Sequence, residues 1–205
     1  MATRQNEEPS PKSVGRPRDP ERGRALLAAV HELLPEVGYD RLTMDAVAAR
    51  AGAGRATVYR RWKDKSELVR DAIRTLGWNE PPPDTGSLRS DLIVVGAMYL
   101  DRDSRRDAIL SAIATAVRRD PQLREIAERE IAAPRRAAFA AILEHARDRG
   151  ELVDGADTEL IADIVPAMIF YQLLEQGDSI DGAYFERIVD SLMIPLLTGR
   201  PRSAH

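Results

Sequence analysis

Between Arg50 and Lys65 the chain carries six basic residues (Arg50, Arg55, Arg60, Arg61, Lys63 and Lys65) against one acid, Asp64. A local excess of five positive charges, in a chain whose formal net charge is −3, marks a surface suited to phosphate. Charge alone also fits a solvated helix face. The interleaved residues point further. A short helix beginning near Arg55 turns Val58 and Trp62 inward, and leaves Arg55, Thr57, Tyr59, Arg60 and Arg61 on the outer or leading surface. Arginine forks onto guanine edges, and threonine and tyrosine hydroxyls reach phosphates. Upstream, Gly15-Arg16-Pro17-Arg18 is an extended basic tetrapeptide. Arg16 and Arg18 suit a narrow minor groove, where negative potential is concentrated.

Other chemistry is hard to assemble from this chain. There is no cysteine, which excludes disulfides, thiolate metal sites and cysteine nucleophiles. The three histidines, His31, His145 and His205, are far apart and form no His-x-x-x-His pair. Glu128/Glu130 and Asp101/Asp103 are spaced by two, which sends each pair to different sides of a helix. Gly52-x-Gly54 does not extend into a phosphate loop and follows no strand. Arg118-Arg119 and Arg135-Arg136 read as solvated faces. No catalytic residue, metal site or cofactor is expected, and the chain does not read as an enzyme.

The elements that position the basic cluster are helices. Leu26, Val30, Leu33 and Val37 form one apolar face of a helix that Pro20 can open and Gly38 can close, with Pro35 expected to bend or fray its last turn. Thr43 is placed to cap a short helix running to about Ala51. Gly52 supplies the positive φ of a tight turn, and the Arg55 helix follows. Helix, glycine turn and basic helix form a helix–turn–helix, with Val47, Val58 and Trp62 facing inward. Asp64 opens a fourth helix, apolar at Leu68, Ala72, Ile73 and Leu76. Pro81-Pro82-Pro83 interrupts the helical run as a linker.

The remainder reads as helix throughout, so the fold class is all-α. Helices are expected at Ser87–Leu100, Ser104–Arg119, Gln122–Arg149, Thr158–Gln176 and Asp181–Leu197, with Pro134 kinking or splitting the third. The last two are apolar nearly all round and so need covering on two sides. One side is the domain core; the other calls for a partner subunit or full internal burial. Ile188 and Leu192 are the candidates for the partner-facing surface. Met98, Tyr99, Phe139, Met168, Phe170 and Tyr171 could line a small-molecule cavity or fill a plain core.

At 205 residues, with 43% hydrophobic and 31% charged residues, the chain is long enough for two domains. Residues 1–80 sum to +3 and residues 81–205 to −6. The longest uncharged run, Ile164–Leu174, is too short to span a membrane, and the polar N-terminus has no apolar signal region. A cytoplasmic protein is expected, with residues 1–19 a disordered basic arm, 20–80 a DNA-binding domain whose helix–turn–helix covers about 44–63, and 87–200 a helical bundle.

Residues 20–80 resemble the DNA-binding domain of the TetR (tetracycline-repressor-like) family of transcriptional regulators. Gly38-Tyr39, Leu42-Thr43-Met44, Val47-Ala48, Ala51-Gly52, Ala56 to Trp62 and Lys65-Ser66-Glu67-Leu68 carry the resemblance. It implies DNA contacts from Tyr59, Arg60, Arg61 and Lys65 and a capping role for Thr43. It also implies pairing through the last two helices as a four-helix bundle. The C-terminal part matches only in helical layout. The expected protein is a repressor that binds a pseudo-palindromic operator as a homodimer and is released by a small-molecule effector. The alternative is a helical enzyme or interaction module that retains a helix–turn–helix.

Overall fold

The computed structural model describes residues 20–77, 81–99, 105–175 and 181–199, with the side chains of 98, 99 and 173–175 outside that set. The described residues contain helices and turns and no strand. Four helices come first: α1 (Pro20–Arg41), α2 (Met44–Arg50), α3 (Arg55–Tyr59) and α4 (Lys65–Arg74). After the proline-rich segment come α5 (Leu88–Tyr99), α6 (Arg105–Ala114), α7 (Pro121–Ala127), α8 (Ala133–Asp148), α9 (Thr158–Glu175), α10 (Gly182–Ile188) and α11 (Ile194–Thr198).

α1 continues through Pro35 and leaves helical geometry only at Gly38 (φ 75°, ψ 163°). The proline near the helix end forfeits one hydrogen bond without terminating the helix. Two prolines further on, Pro134 and Pro195, act differently. Pro134 is the second residue of α8, and its ring would collide with the Glu130 carbonyl four residues back. The chain widens there into a π-turn, Glu128–Ala132, closed by the Ala133 N–H donating to the Glu128 carbonyl. The same solution recurs before Pro195: Val189–Met193 is a π-turn, with the Ile194 N–H donating to the Val189 carbonyl. The expected kink or split at Pro134 is thus a widened turn within a continuing helical path.

Two apolar cores form, and their division differs from the break in sequence. The first joins Leu26, Val30 and Leu34 of α1, Val47, Val58, Trp62, Leu68 and Ile73 to Ile109 and Ile113 of α6 and Leu123 and Ile126 of α7. The second joins Leu88 and Leu92 of α5, Ile142 of α8, Ile161 of α9, and Phe185, Ile188, Val189, Met193 and Leu197. α6 and α7 lie beyond the linker in sequence yet complete the core of the first four helices.

Polar contacts tighten that junction. Arg106 of α6 is buried and donates to the Leu76 carbonyl (2.8 Å) and the Gly77 carbonyl (3.1 Å), closing the end of α4. Arg74 of α4 pairs with Glu130 of the first π-turn at 2.9 Å. His31 of α1 donates Nε2–H to the Ala72 carbonyl at 2.8 Å. Burial pushes the His31 imidazole below its ordinary range, against the pull of the Ala72 bond and with the help of the Arg105 charge. A histidine depressed in the folded state stabilises the fold above the unfolded value of about 6.5 and loses that contribution as pH falls through the folded value. His31→Gln, which retains an N–H donor, should therefore flatten the fall in urea midpoint between pH 8 and pH 5. Equal pH dependence in both proteins would remove His31 from the account.

Candidate nucleic-acid interface and apolar cavity

The Thr43 hydroxyl accepts from the Ala46 N–H at 3.1 Å and caps α2. Since its oxygen is occupied as an acceptor, its own O–H is directed to other partners, and the residue is exposed. Gly52 turns the chain at φ 60°, and Gly54 opens α3 without a side-chain cap. Val47 and Val58 are fully buried, and Trp62, also buried, donates from its indole to Asp71 at 2.8 Å. With the inner face fixed, Arg55, Tyr59 and Arg60 are exposed and Thr57 is half-buried. Tyr59 is 51% exposed, an unusual setting for a large aromatic ring and the setting expected of a recognition side chain. Asp64 caps α4 by accepting from the Glu67 N–H (2.9 Å), and Glu67 accepts from the Lys63 N–H (2.9 Å), a reciprocal arrangement that fixes the next helix against α3.

The cluster's positive charge is less available than its count implies. Arg50 reaches back to Glu36 (2.7 Å) and Glu32 (3.2 Å) and ties α2 to α1. Arg55 is held in a two-pronged pair with Asp45. Lys65 is half-buried: it donates to the Tyr39 carbonyl at 2.8 Å, and its ammonium lies 4.1 Å from the Tyr39 ring centre. Arg61 departs from the exposed position expected of it. It is half-buried, with its guanidinium folded over Gly23 of α1, where a methyl group would come within 2.7 Å of it. Just past the end of α3, Arg61 meets α1, whose course could not be read from α3 alone. Arg60 and Lys63 remain exposed. Arg16 and Arg18 lie outside the described residues.

A cavity of about 470 Å³ lies among α5, α6, α7, α8, α9 and α10. Of the residues expected to line it, Phe139 and Phe170 do. Met168 packs against the second core instead, and Tyr171 is exposed on the outer side of α9. The side chains of Met98 and Tyr99 lie outside the described residues. Leu92, Val95, Leu110, Ile113, Val117, Ile131, Val165 and Ile169 also line the cavity, and nothing in their spacing set them apart from core. Gly96 forms part of the wall because Phe185 packs directly on it: a methyl there would lie 1.9 Å from the ring.

The expected partner-facing pair divides. Ile188 is 3% exposed and belongs to the second core of its own protomer, whereas Leu192 is 39% exposed. In a regular helix these residues, four apart, share a face. The π-turn at Val189–Met193 adds about one residue to that turn, so Val189, Met193 and Leu197 take the buried face and Leu192 lies exposed. Leu160, Ala167, Phe170 and Tyr171 of α9 and Leu196 of α11 are exposed as well.

Among the described residues, no group of three or more acidic or histidine side chains is placed to hold a metal ion. No described helix is long and apolar enough to cross a membrane.

Residues 26–72 match the family model for bacterial regulatory proteins of the tetR family, and residues 82–192 match that for the tetracyclin repressor-like C-terminal domain. The chain is 36% identical over 188 residues to the uncharacterized HTH-type transcriptional regulator Rv1556 of Mycobacterium tuberculosis, covering 89% of this chain and 93% of that protein. It is 35% identical over 179 residues to the DNA-binding transcriptional repressor TetR of Mycobacteroides abscessus, covering 86% and 94%. The fold is shared with GusR of Salmonella enterica at a TM-score of 0.70 and 19% identity, covering 88% of this chain and 96% of that one. Helix–turn–helix, helical C-terminal part and sequence agree, and the chain belongs to the TetR family of DNA-binding transcriptional regulators.

Proposed function

We propose that this regulator is a cytoplasmic repressor that binds a pseudo-palindromic operator as a homodimer and is released when a small molecule occupies the cavity. Residues 20–80 act as the DNA-binding domain and residues 87–200 as the effector-binding and dimerisation domain, with the arm at 1–19 reaching the minor groove through Arg16 and Arg18. Tyr59, Arg60, Thr57 and Arg55 face the major groove. Thr43 and Lys65 hold phosphates at its edges, and Arg61 braces α3 against α1. Arg55 exchanges Asp45 for DNA on binding.

One observation carries the control mechanism. Ile113 of α6 touches the cavity and is also part of the core that α1, α2, α3 and α4 share. Glu128 and Ile131 of the first π-turn line the cavity, while Glu130 of the same turn holds Arg74 of α4. An occupant that moves α6 or the π-turn therefore acts directly on the helices that carry α3. A ligand shifts such an equilibrium by its difference in affinity for the two arrangements.

The test is operator affinity, with an operator selected from random DNA by the protein itself. Tyr59→Ala and Arg60→Ala should each weaken specific binding by about 1–3 kcal/mol while leaving the melting temperature unchanged, because both side chains are exposed. Unchanged affinity in both variants would move the DNA surface elsewhere.

A further inference from the structure

The cavity is unusual in what its wall lacks. Among the described residues, its lining includes no serine, threonine, asparagine, glutamine, histidine, tyrosine or tryptophan. The charged residues described there are Asp107, Arg124, Glu128 and Arg135, two of each sign, so these give the wall no formal charge preference. Each is already engaged. Arg124 donates to the Val117 carbonyl (3.3 Å) and the Arg118 carbonyl (3.0 Å). Arg135 donates to the Ala162 carbonyl at 2.8 Å. Glu128 is paired with Arg136 on the outer side. Asp107 is buried and has a partner of its own.

We infer that the effector is a neutral, predominantly hydrocarbon molecule of drug-like size, with few or no hydrogen-bonding groups. The inference rests on the reading of this cavity as the effector site. A volume of about 470 Å³ lies in the range that encloses a drug-sized ligand. A ligand hydroxyl, amide or ionised group entering this wall meets mostly hydrocarbon and gives up its water for the few hydrogen bonds that four already engaged side chains leave. Each such unpaired group weakens binding by roughly tenfold to a hundredfold, and a full charge by more. Apolar surface is rewarded in proportion to its area.

The test uses N-phenyl-1-naphthylamine, a neutral fluorophore, beside 8-anilino-1-naphthalenesulfonate, the same skeleton carrying a sulfonate, with tetraphenylphosphonium as a cationic competitor. The neutral probe should bind at least about tenfold more tightly than the sulfonate and resist displacement by the cation. Ala114→Phe, which fills the cavity from α6, should weaken the neutral probe by about tenfold or more; Val165→Phe fills it from α9 should the first variant fold poorly. Val94→Ser, on the exposed face of α5 and outside the cavity lining, should change nothing. Tighter binding of the sulfonate or the cation would overturn the inference, as would neutral-probe binding that both filled variants retain or that Val94→Ser abolishes. Operator release is measured in parallel. Binding in the expected order without release supports the ligand class and overturns the effector reading instead.

Discussion

Replacing Arg149 with methionine should lower the urea midpoint clearly further than the loss of an ordinary surface arginine does. Arg149 stands at the end of α8 and serves three carboxylates: Asp84 at 2.8 Å, Asp91 at 2.9 Å, and Glu151. Asp91 is 0% exposed and accepts two further bonds from Thr85, from its N–H at 2.6 Å and its hydroxyl at 2.7 Å. Glu151 in turn accepts from the Leu88 N–H at 2.8 Å and so holds the start of α5. Methionine fills similar volume but leaves three acids together with no cation among them, one of them fully buried. Burial pushes the Asp91 carboxyl up, yet the Thr85 bonds and the Arg149 guanidinium together hold it below its ordinary range. A depressed carboxylate stabilises the fold above its unfolded value of about 3.9, and that contribution is lost as pH falls through the folded value. Arg149→Met should remove this part of the acid sensitivity. Adding Asp91→Asn should recover part of the loss, because the two sites are coupled. Arg89→Ala, which breaks a pair with Asp190 on the surface, should cost less than about 1 kcal/mol. Urea unfolding at one fixed protein concentration reads all four proteins. A loss for Arg149→Met no larger than that for Arg89→Ala would show that solvent screens this network as it does a surface pair.

How much of this was legible in the sequence depends on how local each cause is. The caps at Thr43 and Asp64, the turn at Gly52, and the inward set of Val47, Val58 and Trp62 follow from neighbours within one or two turns, and they stand where the spacing put them. The positions of Arg61 over Gly23 and of Lys65 on the Tyr39 carbonyl were not legible, because both neighbours come from α1. The bridge of Arg106 to the end of α4 joins residues some thirty positions apart and left no pattern. Cavity and core were indistinguishable for a different reason. Both are lined by the same apolar residues at the same helical spacing, and only the packing of α5 through α10 decides which faces fail to meet. Pro134 announced an irregularity but not its form, and Pro195 lay within a run read as one helix, Asp181–Leu197. A widened turn relieves the clash as well as a break does, and it changes which residues share a face.

The last consequence of that widened turn concerns assembly. Leu160, Ala167, Phe170 and Tyr171 recur along one side of α9, and Leu192 and Leu196 are exposed on the neighbouring segment. Exposed apolar residues grouped in this way suit an interface, and the prediction takes them as the dimer surface. Leu196, 50% exposed, and Ile188, 3% exposed, separate two kinds of failure. Leu196→Asp places its carboxylate in water in the isolated protomer, so helix content should remain. In a two-fold dimer the same substitution occurs on both sides, and each buried, unpaired carboxylate costs about 3–5 kcal/mol. The dimer dissociation constant should therefore rise by at least about a hundredfold. Tight operator binding should fall with it, since one half-site supplies about half the contacts. Ile188→Asp buries the charge in the protomer's own second core and should unfold the C-terminal helices whether or not a partner is present. Sedimentation velocity and circular dichroism, run beside the operator assay, distinguish the two outcomes. A native protein that sediments as a monomer at micromolar concentration would remove the two-fold operator from the reading, and a Leu196→Asp protein that remains dimeric and binds operator normally would place the assembly surface elsewhere.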